Sequence, residues 1–208
     1  MYNTPTTKSL LIVDGCASFQ MKKQEFPDNT LNVNHLDMII EKFLSQQEED
    51  PKGLTRKLYY NATNLQSGNL KFIEKLQAFG WEIYTQEIGD TNSQNRLIWS
   101  EQTGDHFGFS ASIAFNLGQV SVSKEYDRVF ILAHSWGIAP AVQSCVDAGI
   151  NITIMYISRM LDSRWHRYFR SNNDSKKYIS VSFIDLEDHL SILDYNVSYT
   201  IPGALPNF

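Results

Sequence analysis

Cysteine is almost missing from this chain. Cys16 and Cys145 are the only two in 208 residues, and they show neither the spacing of a disulfide framework nor a metal-ligand pattern. Long apolar runs are missing too. No stretch approaches the roughly 18 residues a membrane helix requires. The opening MYNTPTTKSLLIVDG lacks the charged-then-apolar order of a signal segment. These absences predict a soluble, cytoplasmic protein with reduced thiols and no membrane contact, in which the sequons at Asn61, Asn151 and Asn196 are fortuitous. There is no surplus of positive charge. With 18 Lys and Arg against 23 Asp and Glu the net charge is −5, so any contact with nucleic acid needs a local basic patch. Internal repeats and composition breaks are also lacking, which predicts a single domain over 1–194 followed by an extended tail, 195–208.

What is present is an alternation of strand-like and helix-like segments. Leu10 to Val13 is a short, continuously apolar run stopped by Asp14-Gly15, the pattern of a buried parallel strand. From His35 the apolar residues Leu36, Ile39, Ile40, Phe43 and Leu44 fall on one helical face, with Asn34 as the expected N-cap. RKLYYNAT, WEIYTQEI, YDRVFILA, INITIMYI and YISVSFIDL read as further strands. Between them lie a helix holding Leu70, Ile73 and Leu76, one holding Ile113, Leu117 and Val120, and one over 138–148, with Gly80 and Gly149 closing the first and last. Residues 89–109 read as a long polar loop with a short strand at Leu97 to Trp99. Such alternation predicts an α/β fold of three layers, α/β/α, on about six mostly parallel strands, Rossmann-like. In these sheets ligands bind beyond the carboxyl ends of the strands, which is where Asp14, Asn61 and Ala133 to Gly137 fall.

AHSWG, residues Ala133 to Gly137, approximates the nucleophile elbow of α/β hydrolases, in which small residues flank a serine on a tight turn. Ser135 would be the nucleophile, with Asp162 or Asp185 and then His189 completing the order. Against this stands the lack of a convincing oxyanion loop in VDGCASF.

The segments LLIVDGCASF, RKLYYNAT, FIEKLQAFGWEIYTQ, YDRVFILAHSWGIAPAVQSCVDAGINITIMYIS and FIDLEDH, in that order, resemble the NYN domain family of PIN-like metal-dependent ribonucleases over about 10–188. The resemblance implies a doubly wound parallel sheet whose carboxyl edge gathers acids around Mg²⁺ or Mn²⁺, which activates water and offsets charge on the scissile phosphate. Carried over position by position, Asp14 matches the first acid. Cys16 stands where an asparagine is usual. Ser135 and Gly137 stand where two loop aspartates are expected, and the middle acid falls near Ser110, with a further polar position near Asn116. Asp105, or Glu101, could bring a replacement ligand if the long loop folds in. One carboxylate among neutral side chains is a poor site for a hard cation. The resemblance thus implies a degenerate member that binds RNA or a protein partner without nuclease activity or cofactor. The alternatives are a ribonuclease with rearranged ligands, Asp14 and Asp105 holding Mg²⁺ or Mn²⁺, and a serine hydrolase.

Two other segments bear on partners. SRMLDSRWHRYFRSNNDSKK interleaves Arg164, Arg167 and Arg170 with Trp165, a composition that could grip phosphates and stack on bases of single-stranded RNA. The competing expectation puts Leu161, Trp165 and Tyr168 on the buried stripe of an amphipathic helix. The tail carries Tyr195, Tyr199, Pro202, Pro206 and Phe208 and is a candidate for docking on a partner or a second copy of the chain.

Overall fold

The computed structural model describes residues 7–26, 31–47, 54–63, 67–87, 107–165, 167 and 181–194. Its centre is β1 (Ser9–Asp14), buried along its whole length. A strand with apolar residues on both faces needs cover on both, and the sequence supplies it. Leu10 and Ile12 point into one core and Leu11 and Val13 into the other. Five more strands join it: β2 (Leu54–Thr63), β3 (Trp81–Glu87), β4 (Arg128–Leu132), β5 (Asn151–Tyr156) and β6 (Val181–Asp185). The order across the sheet is β3-β2-β1-β4-β5-β6, and every pairing is parallel. The fold is therefore the three-layer α/β arrangement expected from the alternation, with an entirely parallel sheet. Strand order reverses between β1 and β4, which pair in register from Ser9 with Arg128 to Val13 with Leu132. That reversal makes their carboxyl ends the ligand edge of such a sheet.

One face carries α1 (Gly15–Glu25), α2 (Leu36–Gln46), α3 (Ser67–Ala78) and the short α6 (Leu190–Leu193). Met21, Leu36, Ile40, Leu76 and Leu193 close the core there. The other face carries α4 (Phe107–Ser123) and α5 (Ala139–Asp147), with Ile113, Leu117, Val142 and Cys145 inward. Each such side chain, fully buried, contributes about 1.5–3 kcal/mol relative to exposure. Gly80 and Gly149 do end α3 and α5, both with positive φ (79° and 84°), as a left-handed terminus requires.

Some local expectations shift. The cap before α2 is Asn32, whose side chain accepts from the Asn34 amide at the start of a 3-10 turn, Val33–His35. Asn34 instead accepts from the Trp81 indole at 2.8 Å, tying this turn to β3. Within SRMLDSRWHRYFR the described helical residues are 163–165 and 167. The strand expected at Leu97 to Trp99, most of the long loop and the tail 195–208 lie outside the described residues. No described helix is long and apolar enough to cross a membrane.

Candidate functional site at the carboxyl edge of the sheet

The edge is built where β1 turns into α1 and β4 turns into α5. Asp14 ends β1 in extended conformation and caps α1, its Oδ1 accepting from the Cys16 amide at 2.8 Å. The turn is tight because Gly15 lies against β2. A Cβ there would stand 2.2 Å from the Tyr60 carbonyl oxygen and 3.0 Å from the Tyr59 ring. Cys16, in the usual place of an asparagine, is buried, and burial, followed by the adjacent Asp14 charge, pushes its thiol well above the ordinary range. It is therefore a protonated side chain of the core rather than a nucleophile.

Beyond β4, Ala133, His134 and Ser135 are buried. Ser135 caps a second 3-10 turn, Trp136–Ile138, and its Oγ accepts from the Gly137 amide at 2.9 Å. The hydroxyl of Ser110, on the second turn of α4, reaches the same oxygen at 3.0 Å. A Cβ placed on Gly137 would lie 3.1 Å from the Ser110 Cβ and 3.2 Å from the Ser135 Oγ. The three positions to which the family resemblance carries acids, 110, 135 and 137, thus converge in space on the edge where strand order reverses. Asn116 does not join them. Six residues further along α4, about 9 Å down the axis, it bonds the Tyr60 hydroxyl instead. Burial pushes that phenol up to about 12. Asp105 and Glu101 lie outside the described residues. Among the described residues no three of His, Cys, Asp and Glu gather as a metal-ligand set.

The geometry around Ser135 is not that of an elbow. Its φ of −73° and ψ of 136° are ordinary extended values, whereas a nucleophile elbow holds its serine in a strained turn. Among the described residues its Oγ is engaged by the Gly137 amide and Ser110, and by no imidazole. Asp162 is committed to Arg164, which donates to it at 2.9 and 2.6 Å and holds its carboxyl below the usual range. Asp185 caps the turn at Glu187 and bonds Ser158.

His134 turns away from Ser135. Its Nε2 accepts from the Ile157 amide at 3.4 Å, and its Nδ1 has no hydrogen-bond partner among the described residues. Burial without a compensating charge drives the imidazole down to about 4, so the ring is neutral at pH 7. The loop is held from behind as well. The Asp162 amide donates to the His134 carbonyl at 3.1 Å, and the Trp165 indole donates to the Ser135 carbonyl at 3.1 Å.

Trp165 is only 1% exposed and sits edge-on to Trp136, ring centroids 4.8 Å apart. Its ring is a core element, as the amphipathic alternative expected, and offers no face to a nucleobase. Leu161 is buried beside it in the same cluster. Of the arginines grouped with it, Arg164 is paired with Asp162, Arg167 is exposed and Arg170 lies outside the described residues. Sequence reasoning missed the Trp165 tie to the loop, since nothing in the spacing of 135 and 165 marks it.

No protein family matches this chain, and no curated protein does. Among solved structures it is similar to a Vibrio parahaemolyticus protein of unknown function, with 10% identity and a TM-score of 0.56 over 88% of this chain and 97% of the other. At that identity the likeness is one of fold.

Proposed function

We propose that the chain is a degenerate NYN-like member of the PIN-like fold that acts by binding a macromolecular partner and does not cleave RNA. The observation that carries this reading is the 3.0 Å bond between Ser110 and Ser135, at two positions the family fills with carboxylates. Two hydroxyls satisfied by each other and by the Gly137 amide bring no negative charge to the edge. A hard divalent cation gives up tightly held water only for oxygen ligands that replace it, and carboxylates supply the compensating charge. Asp14, which caps α1, is one carboxylate where several are needed. Among the described residues, the donors at this edge are a poor match for Mg²⁺ or Mn²⁺.

Between the two kinds of partner, the geometry favours protein over RNA. Trp165 is buried, Arg164 is neutralised by Asp162, and the chain carries a net −5. RNA binding depends on phosphate neutralisation by free cationic groups, and of this segment's described arginines only Arg167 is exposed without an ion-pair partner. The test is incubation of the purified chain with single-stranded RNA in Mn²⁺, beside an Asp14→Ala variant. Both should leave the RNA intact and neither should retard it at physiological salt. Metal-dependent cleavage lost in Asp14→Ala would overturn the loss of catalysis. Tight, salt-sensitive retardation weakened by Arg167→Ala would return RNA to the place of the protein partner.

A further inference from the structure

The two helical layers differ sharply in charge. On one face α1, α2 and α3 each carry three charged residues, the ordinary dress of a solvent-facing helix. On the other face α4 has none in 17 residues and α5 has only Asp147 in nine. The outer side of α4 is uncharged and carries two large exposed apolar side chains. Phe115 is 68% and Val122 83% exposed, seven residues apart and therefore on one stripe, with Ala111 and Gln119 exposed beside them.

Gly118 lies between them, in the helix interior, where glycine is less favourable than alanine. Among the described residues nothing accounts for it, because a Cβ built on Gly118 would meet none of their atoms within 4 Å. The missing side chain leaves room outward.

We infer that the α4–α5 layer is a self-association surface that takes a second copy of this chain about a two-fold axis. Two features favour that occupant. A face whose two helices carry a single charge, Asp147 at the end of α5, does not select an acidic or basic partner, and along the uncharged α4 it matches itself without repulsion, even between protomers of net charge −5. An antiparallel two-fold centred near Gly118 also sets Phe115 of one protomer against Gly118 and Val122 of the partner subunit. Bulk then meets space on both sides, as a self-complementary contact demands. The size of the face sets the strength. A 17-residue helix is about 25 Å long, and with the shorter α5 at its side, one helix diameter away, the footprint is about 400 Å². That is half of the roughly 800 Å² per partner of a standard stable interface. The dimer is accordingly weak and forms with concentration.

Sedimentation velocity of the full chain over a concentration series tests this. The weight-average mass should climb from monomer toward dimer. Phe115→Glu and Gly118→Leu should each shift the midpoint to at least about tenfold higher concentration, with thermal unfolding of the dilute variants showing that the fold is intact. A parent chain that stays monomeric throughout overturns the inference, and so does a dimer that both variants leave unchanged. Neither result bears on the binding reading of the sheet edge, because α4 meets that edge at Ser110 and the variants lie more than a turn away.

Discussion

Placing acids at 110 and 135 tests whether these positions frame a place for a cation. In a Ser110→Asp/Ser135→Asp variant, two carboxylates would stand where two hydroxyls now lie 3.0 Å apart. At a separation of about 4 Å and an effective dielectric of about 20, two such charges repel by about 4 kcal/mol. The variant relieves part of that by protonating one acid, so without metal its stability should fall by a few kcal/mol at pH 7. A divalent cation bound between them reverses the sign. At a hundred times its dissociation constant it returns about 2.7 kcal/mol, which for a chain of this size is about 5–11 °C in Tm at 2–4 °C per kcal/mol. Thermal unfolding with Mn²⁺ and with chelator is the assay. The double variant should gain that shift, and the parent should show none. An equal Mn²⁺ shift in the parent would mean that it already holds a competent site, and the reading of a depleted edge would fail. No shift in the variant would mean that 110 and 135 do not converge on a place a cation can occupy.

Gly15→Ala should destabilise by about 3 kcal/mol, the upper range for forcing a methyl into a filled space, because the Cβ would meet the Tyr60 carbonyl, part of the central sheet, at 2.2 Å. Urea unfolding measures it, and a loss below about 1 kcal/mol would show that α1 can slide without cost. His134 makes stability depend on pH. Its folded value, about 4, lies below the ordinary 6.5, so the unfolded chain takes up the proton first. Its contribution is whole above about 6.5 and is lost as pH falls toward 4, by about 3 kcal/mol. His134→Gln should flatten that part of the profile, and an unchanged slope would assign it to other groups. Trp165→Ala should cost about 3–5 kcal/mol as a core truncation, while Arg167→Ala leaves stability within about 0.5 kcal/mol. A Trp165 variant of parental stability would contradict its place in the core.

The parallel sheet was legible because burial on both faces writes itself into sequence as unbroken apolar runs, Leu10 to Val13 and Val129 to Leu132 above all. The helix α1 was not. GCASFQMKKQE has no apolar stripe, since its buried side is made of Gly15, Cys16, Ala17, Ser18 and Met21, and Ser18 is there to bond the Tyr59 hydroxyl at 2.7 Å. Small and polar residues on a buried face are invisible to a search for hydrophobic period. The cap before α2 was misplaced for a related reason. Asn32 and Asn34 are equally good caps as residue types, and only the Trp81 indole, 47 residues away, decides that Asn34 is engaged elsewhere.

At the candidate site the same division holds. Position, set by topology, could be read: Asp14 and the loop from Ala133 to Gly137 share an edge because β1 and β4 are neighbours. The bond between Ser110 and Ser135 could not, because it depends on where the first turns of α4 settle after the crossover from β3 past β2 and β1 to β4. Its consequence is physical. Gly137, which the family resemblance would replace by aspartate, now has no room for a Cβ without pressing on Ser110. The loop is meanwhile fixed by hydrogen bonds from the Ile157 and Asp162 amides and the Trp165 indole, which the His134 ring and the carbonyls of His134 and Ser135 accept. None of those bonds needs a charged side chain in the loop. A loop held in this way keeps its shape whether or not it carries acids. That independence of shape from charge lets the edge keep its geometry with no charged side chain between Ala133 and Gly137.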